Sequence, residues 1–266
     1  MGLNVIDNRT NETKIGEVSY TKYGTKAIIV EYKSNKDVVI EFQDKYKYRY
    51  SVTYLNFKNG TILNPFDKSA YGVGYIGIGE YTNISKSNKE IYHCYSIWRK
   101  MFERCYTTNI RTNRQKTYED CYVCEEWHNF QNFAEWYMNH KYKIQNEKLC
   151  IDKDILVHGN KVYSPETCLL VPNRINSLFA KSYAIRGDLP IGVTYYWYDN
   201  SRYLASMKTD NRKTYQIGIF NNPMSAFEAY KKEKEKYIKE VAEEYKSVIP
   251  TELYDAMYKY KILITD

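Results

Sequence analysis

The sequence predicts an α+β protein, and three observations carry that expectation. Short runs rich in β-branched residues fill roughly the first 66 positions. Two stretches with apolar residues at spacings of three and four occupy the middle. Three more short apolar runs then precede a long helix-forming segment that starts at a proline. A chain of 266 residues has room for two or three domains. The expected division is a small antiparallel β module at 1–68, a central domain at 69–183 and a three-stranded sheet with C-terminal helices at 184–266.

In the first module, AIIVEY at 27–32 and VVIEF at 38–42 are strand-like runs separated by the polar Ser34-Asn35-Lys36-Asp37. Residues 46–57 alternate tyrosines and apolar residues with polar ones, which predicts another strand. Asn59-Gly60 marks a tight turn before Thr61-Ile62-Leu63, and Asn64-Pro65 closes the module. YGVGYIGIGEY at 71–81 then matches GxGxxG from Gly72. A dinucleotide loop needs a hydrophobic strand before it and a helix directly after it. Polar residues flank this segment on both sides, so a connector with close backbone packing is the better reading.

Ile91, Cys94, Tyr95, Trp98, Met101, Phe102 and Cys105 form one apolar helix face. The same helix and the loop after it carry Arg99, Lys100, Arg104, Arg111, Arg114 and Lys116 against a single acid, Glu103. A second amphipathic helix is expected from about Glu126, using Trp127, Phe130, Phe133, Ala134 and Tyr137. Residues 149–151 and 169–171 read as strands around a turn at Gly159-Asn160, with a short helix at 173–179 after Pro172. The last segment predicts strands at 192–196, 203–207 and 215–220. A helix follows from Pro223 to about Lys246, and a short one at 253–260.

Composition narrows the class further. No apolar run approaches the ~18 residues of a membrane span, and mean hydropathy is −0.66. A formal charge of +7 suits a polyanionic partner. The N-terminal Met-Gly-Leu-Asn-Val-Ile-Asp has neither a basic nor an apolar leader region, so a cytoplasmic protein with reduced thiols is expected. Cys121 and Cys124 form the single CxxC. Their gaps to Cys150 and Cys168 match no common zinc pattern, which favours thiols acting as small core hydrophobes.

His93, His128, His140 and His158 lie in neither HExxH nor HxH patterns, and there is no GxSxG. Asp152-Lys153-Asp154 ends a predicted strand, and Asn160, Asn173 and Asn176 follow within 24 residues. Such hard oxygen donors suit one divalent cation; the plainer alternative is a turn at Asp152 and Asp154 and a helix cap at Asn173.

Three phrases resemble phage-encoded HNH-type endonucleases, many of them related to homing endonucleases. They are Trp98-x-x-Met101-x-x-Arg104-Cys105-Tyr106, VCEEWHNFQNFAEW at 123–136 and IDKDILVHGNKVYSPETCLLVPNRIN at 151–176. The final GVTYYW…YLASMK…QIGIF…AFEAYKKEK resembles the AP2-type DNA-binding domain often attached to them. The resemblance implies a central ββα-metal fold holding Mg²⁺ or another divalent cation, with Asp152 and Asn176 as metal ligands. It makes Asp152, Lys153, His158 and Asn160 the catalytic candidates. Lys153 stands where the family has its general-base histidine, and a lysine carries its proton at neutral pH and accepts no other. His158 is the replacement candidate, and Asn160 serves the hairpin.

The AP2-like segment implies a sheet laid on DNA, with Thr194, Tyr196, Arg202, Tyr203, Lys208, Arg212, Lys213 and Gln216 as contacts. Arg99, Lys100, Arg104, Arg111, Arg114 and Lys116 would track the backbone. The expected function is a phage-type, metal-dependent DNA endonuclease acting on double-stranded DNA. The alternative is an inactive HNH-like binder that regulates DNA or inhibits a host defence complex such as a CRISPR nuclease. A third reading, resting on the tyrosine-rich N-terminal strands alone, is self-association.

Overall fold

The computed structural model describes residues 14–82, 84–107, 118–180, 188–209, 213–264 and 266. It is a mixed α+β chain that divides into two units, Met1–Tyr95 with Glu125–Phe133, and Ser96–Cys124 with Ala134–Asp266. Among the described residues no helix is long and apolar enough to cross a membrane.

In the first unit, β1 (Val18–Tyr20), β2 (Lys26–Ser34), β3 (Asp37–Phe42) and β4 (Arg49–Val52) form an antiparallel meander in that order. Strand β3 shows why: in DVVIEF every second side chain, Val38, Ile40 and Phe42, is fully buried. They meet Ala27 and Ile29 of β2, together with Phe57 and Ile62. Each large side chain so buried contributes roughly 1.5–3 kcal/mol.

The strand expected over 46–57 is shorter than its alternation suggests, because residues from Tyr54 onward coil into α1 (Tyr54–Lys58). The Thr53 hydroxyl accepts from the Asn56 amide at 3.2 Å and caps the helix. Gly60, at φ +66°, ends it with a bond from its amide to the Phe57 carbonyl. The local capping bonds outweigh a two-residue periodicity here.

The glycine-rich segment packs closely, and no phosphate loop forms: the next helix, α2, starts only at Lys89. Tyr75 bridges to Asn129 in parallel fashion. Gly77 has φ +73°, and a Cβ there would lie 2.1 Å from the Asn129 side chain. The Gln131 amide donates to the Ile76 carbonyl at 3.1 Å and accepts from the Tyr81 amide at 2.9 Å.

Helix α2 (Lys89–Tyr106) buries the expected stripe, with Cys94, Trp98, Met101 and Phe102 fully covered. The second amphipathic helix is split: a 3₁₀ turn at Glu125–His128 precedes α3 (Phe130–His140). In the second unit, β5 (Tyr122–Val123) pairs in parallel with β7 (Val162–Tyr163), while β6 (Leu149–Asp152) pairs antiparallel with β8 (Leu169–Pro172). Helix α4 (Asn173–Leu178) follows β8 and packs on both strands of that pair.

Strands β9 (Val193–Tyr196), β10 (Asp199–Lys208) and β11 (Thr214–Phe220) make an antiparallel sheet with β10 in the centre. Helix α5 (Pro223–Tyr245) starts on the expected proline, and the Asn222 side chain caps it by accepting from the Ser225 amide at 2.8 Å. Helix α6 (Thr251–Lys259) closes the described fold. One core runs through this unit: Leu169, Val171, Ile175 and Leu178 join Val193 and Ala205 of the sheet and Phe227, Tyr230, Val241 and Met257 of the helices. Residues from the segments 69–183 and 184–266 thus share a single apolar interior.

All six cysteines are thiols, with Cys94, Cys121 and Cys168 buried. Gly192 enters the sheet at φ +78°, and a Cβ there would stand 2.1 Å from the Tyr230 ring. Gly192→Ala therefore combines backbone strain with a clash against α5, and should lower unfolding free energy by more than about 2 kcal/mol in urea denaturation.

Candidate functional site: the Asp152 loop and the outer sheet face

Asp152 ends β6, opposite Leu169 of β8. Its Oδ1 accepts from the backbone amides of Asp154 and Ile155, at 2.8 and 2.9 Å, which turns the chain out of the strand. Burial pushes the Asp152 carboxyl above its ordinary range, and the two amide donors offset that only in part. Cys150, two residues earlier, pairs with Val171. Asp152 and Cys150 therefore share a hairpin face with Leu169 and Val171, the residues that pack with Ile175 and Leu178 of α4. Asn176 is half-buried on that same short helix.

Lys153 is only 5 % exposed. Its ammonium donates to both carboxylate oxygens of Asp154 at 2.9 Å and to the Asn160 carbonyl, so three donors meet three acceptors. The residue that the resemblance sets in the base position is thus bonded into its own loop. Asn160 completes the fastening: its Nδ2 donates to the Lys153 and Val162 carbonyls at 2.8 and 2.7 Å, and its Oδ1 accepts from the Val162 amide. Asn160, a catalytic candidate under the resemblance and also expected to serve the hairpin, spends its whole side-chain amide on these backbone bonds.

His158 lies in the same loop, and its Nε2 is 2.5 Å from Oδ1 of Asp266, a carboxylate 1 % exposed. The other oxygen of Asp266 accepts from the Leu263 amide at 2.9 Å.

A divalent cation would find one carboxylate, Asp152, and one amide side chain, Asn176. Among the described residues no three His, Cys, Asp or Glu side chains are arranged to hold a metal ion. Asp152 Oδ1 already accepts from two backbone amides. The donor set does not form a protein cage for a cation, and no chemical step is derived through one. Burial pushes the Cys105, Cys150 and Cys168 thiols up to about 12 and raises Cys121.

The predicted DNA contacts fall into four groups. Arg99 and Lys100 are exposed on α2. Arg104 points inward, donating to the Tyr163 hydroxyl at 3.2 Å with its guanidinium 5.4 Å from the Tyr118 ring centre. Arg111, Arg114, Lys116 and Arg212 lie outside the described residues.

The others sit on the three-stranded sheet, where register decides which face each occupies. Ala205 pairs with Val193 and Gly218, and this row faces α5. Tyr203 shares that side, paired with Tyr195 and Phe220 and packed at the core's edge. The opposite face holds Thr194 and Ile219 flanking Leu204, then, past a bulge after Ala205, the pairs Ser206–Gln216 and Lys208–Thr214. Thr194, Lys208, Lys213 and Gln216 are exposed. Arg202 lays its guanidinium 5.5 Å from the Tyr196 ring centre and pairs with Asp199 at 3.1 Å.

Three aromatic residues that the sequence reading did not select stand out on this sheet: Tyr195, Trp197 and Tyr198, at 55 %, 59 % and 79 % exposure. The run Tyr195-Tyr196-Trp197-Tyr198 immediately before Asp199-Asn200 was the available signal, four aromatics entering a turn. Compared with protein-family models, with curated proteins and with solved structures, the chain shows no match to any of them.

Two outcomes follow. A carboxyl held above its unfolded value of 3.8 costs stability once ionised, so its contribution is most favourable at low pH and is lost as pH rises through the folded value. Asp152→Asn retains an Oδ1 acceptor, so its stability relative to wild type should climb as pH rises above about 3.8 and then level off, read as urea midpoints across pH. Labelling of Cys105, Cys150 and Cys168 by iodoacetamide should run more than about tenfold slower in the native protein than in urea. Burial moves these thiols from 9.0 up to about 12, and the gain in thiolate nucleophilicity offsets only part of the loss of thiolate.

Proposed function

We propose that this chain is a DNA-binding protein with an HNH-type hairpin and an AP2-type sheet, in which the hairpin no longer carries a hydrolytic base. The observation that carries the reading is the outer face of β9–β11, turned away from α5, where Thr194, Lys208, Gln216 and the neighbouring Lys213 are exposed together. Lys208 and Lys213 supply the salt-sensitive, sequence-independent attraction to phosphates. Thr194 and Gln216 have the donors and acceptors to read base edges. The bonds of Lys153 to Asp154 and Asn160 support the absence of a base at that position.

A second reading, metal-dependent phosphodiester hydrolysis, is favoured by one observation. His158 is held at Nε2 by the buried carboxylate of Asp266, in the manner by which a carboxylate orients an imidazole for proton transfer. Occupation of a host defence complex is the protein-partner form of the first reading.

Lys208→Ala and Lys213→Ala should each weaken duplex binding about equally across sequences and reduce the log–log salt slope by about one. Gln216→Ala should instead change the preference among sequences. Binding indifferent to salt and to all three changes sinks the DNA reading. With Mg²⁺ or Mn²⁺, supercoiled plasmid should stay intact; nicking that disappears in His158→Ala and in Asp152→Asn would establish the hydrolytic reading instead.

A further inference from the structure

The connection between β9 and β10 breaks a rule of hairpin chemistry. Tyr196 pairs with Asp199 around Trp197-Tyr198, and the next pair is Tyr195 with Tyr203, so the strand bulges at residues 200–202 directly after the turn. Tight hairpin turns favour Asn, Asp and Gly, which take positive φ readily, yet neither Trp197 nor Tyr198 is among the positive-φ residues. Two large aromatic side chains therefore occupy a turn whose backbone does not call for them, and both are exposed, at 59 % and 79 %.

The tip is nonetheless built with care. The Asp199 carboxylate accepts from the Ser201 amide and hydroxyl at 3.0 and 2.6 Å and from Arg202 Nε at 3.1 Å. These bonds hold the carboxyl below its ordinary range, the Ser201 hydroxyl contributing most. Arg202 in turn lies over Tyr196. The Tyr196, Trp197 and Tyr198 rings sit 5.3–5.6 Å apart at angles of 43–58° to one another. At those tilts they support one another without lying face to face, which leaves flat surfaces open to a planar ligand.

We propose that Trp197 and Tyr198 form a stacking wedge for an unpaired nucleobase, so that the sheet prefers DNA with a bulged or single-stranded base over a fully paired duplex. This rests on the DNA-binding reading and goes beyond it. Paired bases hide their faces in the helical stack, whereas an unpaired base presents one without the cost of unstacking. Charge complementarity of the sheet as a whole selects nucleic acid: among the described residues of 193–220 the one acid, Asp199, is paired with Arg202 beside the tip, and Lys208 and Lys213 add positive charge at the other end of β10.

Intrinsic fluorescence gives a direct readout, because of the four tryptophans Trp98 and Trp127 are fully buried, Trp136 is 8 % exposed and Trp197 is 59 % exposed. The probes are a paired duplex, the same duplex with one extra unpaired thymidine, an oligothymidylate, and phosphatidylcholine vesicles without and with phosphatidylserine. The bulged duplex and oligothymidylate should quench the exposed tryptophan. Trp197→Ala should weaken both by roughly five- to a hundredfold while changing paired-duplex affinity less than about twofold, and Trp197→Phe should restore most of the loss.

Equal affinity of the wild type for bulged and paired duplexes, or equal loss of both in Trp197→Ala, overturns the wedge while leaving DNA binding standing. Quenching by vesicles rather than by oligonucleotides overturns it in favour of a lipid surface. Failure of the wild type to bind any of the DNAs removes the DNA reading and the wedge together.

Discussion

Much of the second unit is organised by a shared apolar interior. Val171 and Ile175, from the β8–α4 corner, are fully buried in the same cluster as Ala205 of the sheet and Val241 and Met257 of the two last helices. Interiors packed to this degree resist independent motion of their parts, because any sliding opens voids that cost contact energy. The Asp152 hairpin and the sheet face bearing Lys208 and Gln216 are thus fixed relative to each other. Helix α5 enforces this through Tyr230, whose ring lies so near Gly192 that only a glycine fits at the start of β9.

Within that frame, the loop after β6 spends its polar groups on itself. Asp152 holds two backbone amides, Lys153 joins the Asp154 carboxylate to the Asn160 carbonyl, and Asn160 ties both ends of the loop. A buried ammonium is tolerable only when fully paired, so the arrangement around Lys153 is all or nothing. That pairing ties Lys153 into its own loop. His158 differs, being partly exposed and held at one nitrogen by a buried carboxylate.

Much of the fold was legible because local rules and global packing agreed. The stripe at Trp98, Met101 and Phe102, the alternation at Val38, Ile40 and Phe42, and the Asn222-Pro223 helix start all appear as expected. The reading missed where a short-range bond overrode periodicity. Residues 54–58 alternate like a strand but coil, because Thr53 caps them and Gly60 releases the chain. The helix expected from Glu126 breaks before Phe130, where Tyr75 bonds on either side of Asn129.

For the candidate site, spacing alone picked out the oxygen donors Asp152, Asp154, Asn160, Asn173 and Asn176, while Lys153, His158 and the sheet contacts entered only through the HNH-type and AP2-type resemblances. Tertiary structure alone decided what each residue is doing. It turned Arg104 inward to Tyr163, buried Lys153 against Asp154, joined His158 to Asp266 across 108 positions and set Tyr203 on the α5 side of the sheet. Residue type and spacing specify which groups are available and which elements carry them. Face, burial and partner depend on register and on contacts between distant segments, which no local pattern encodes.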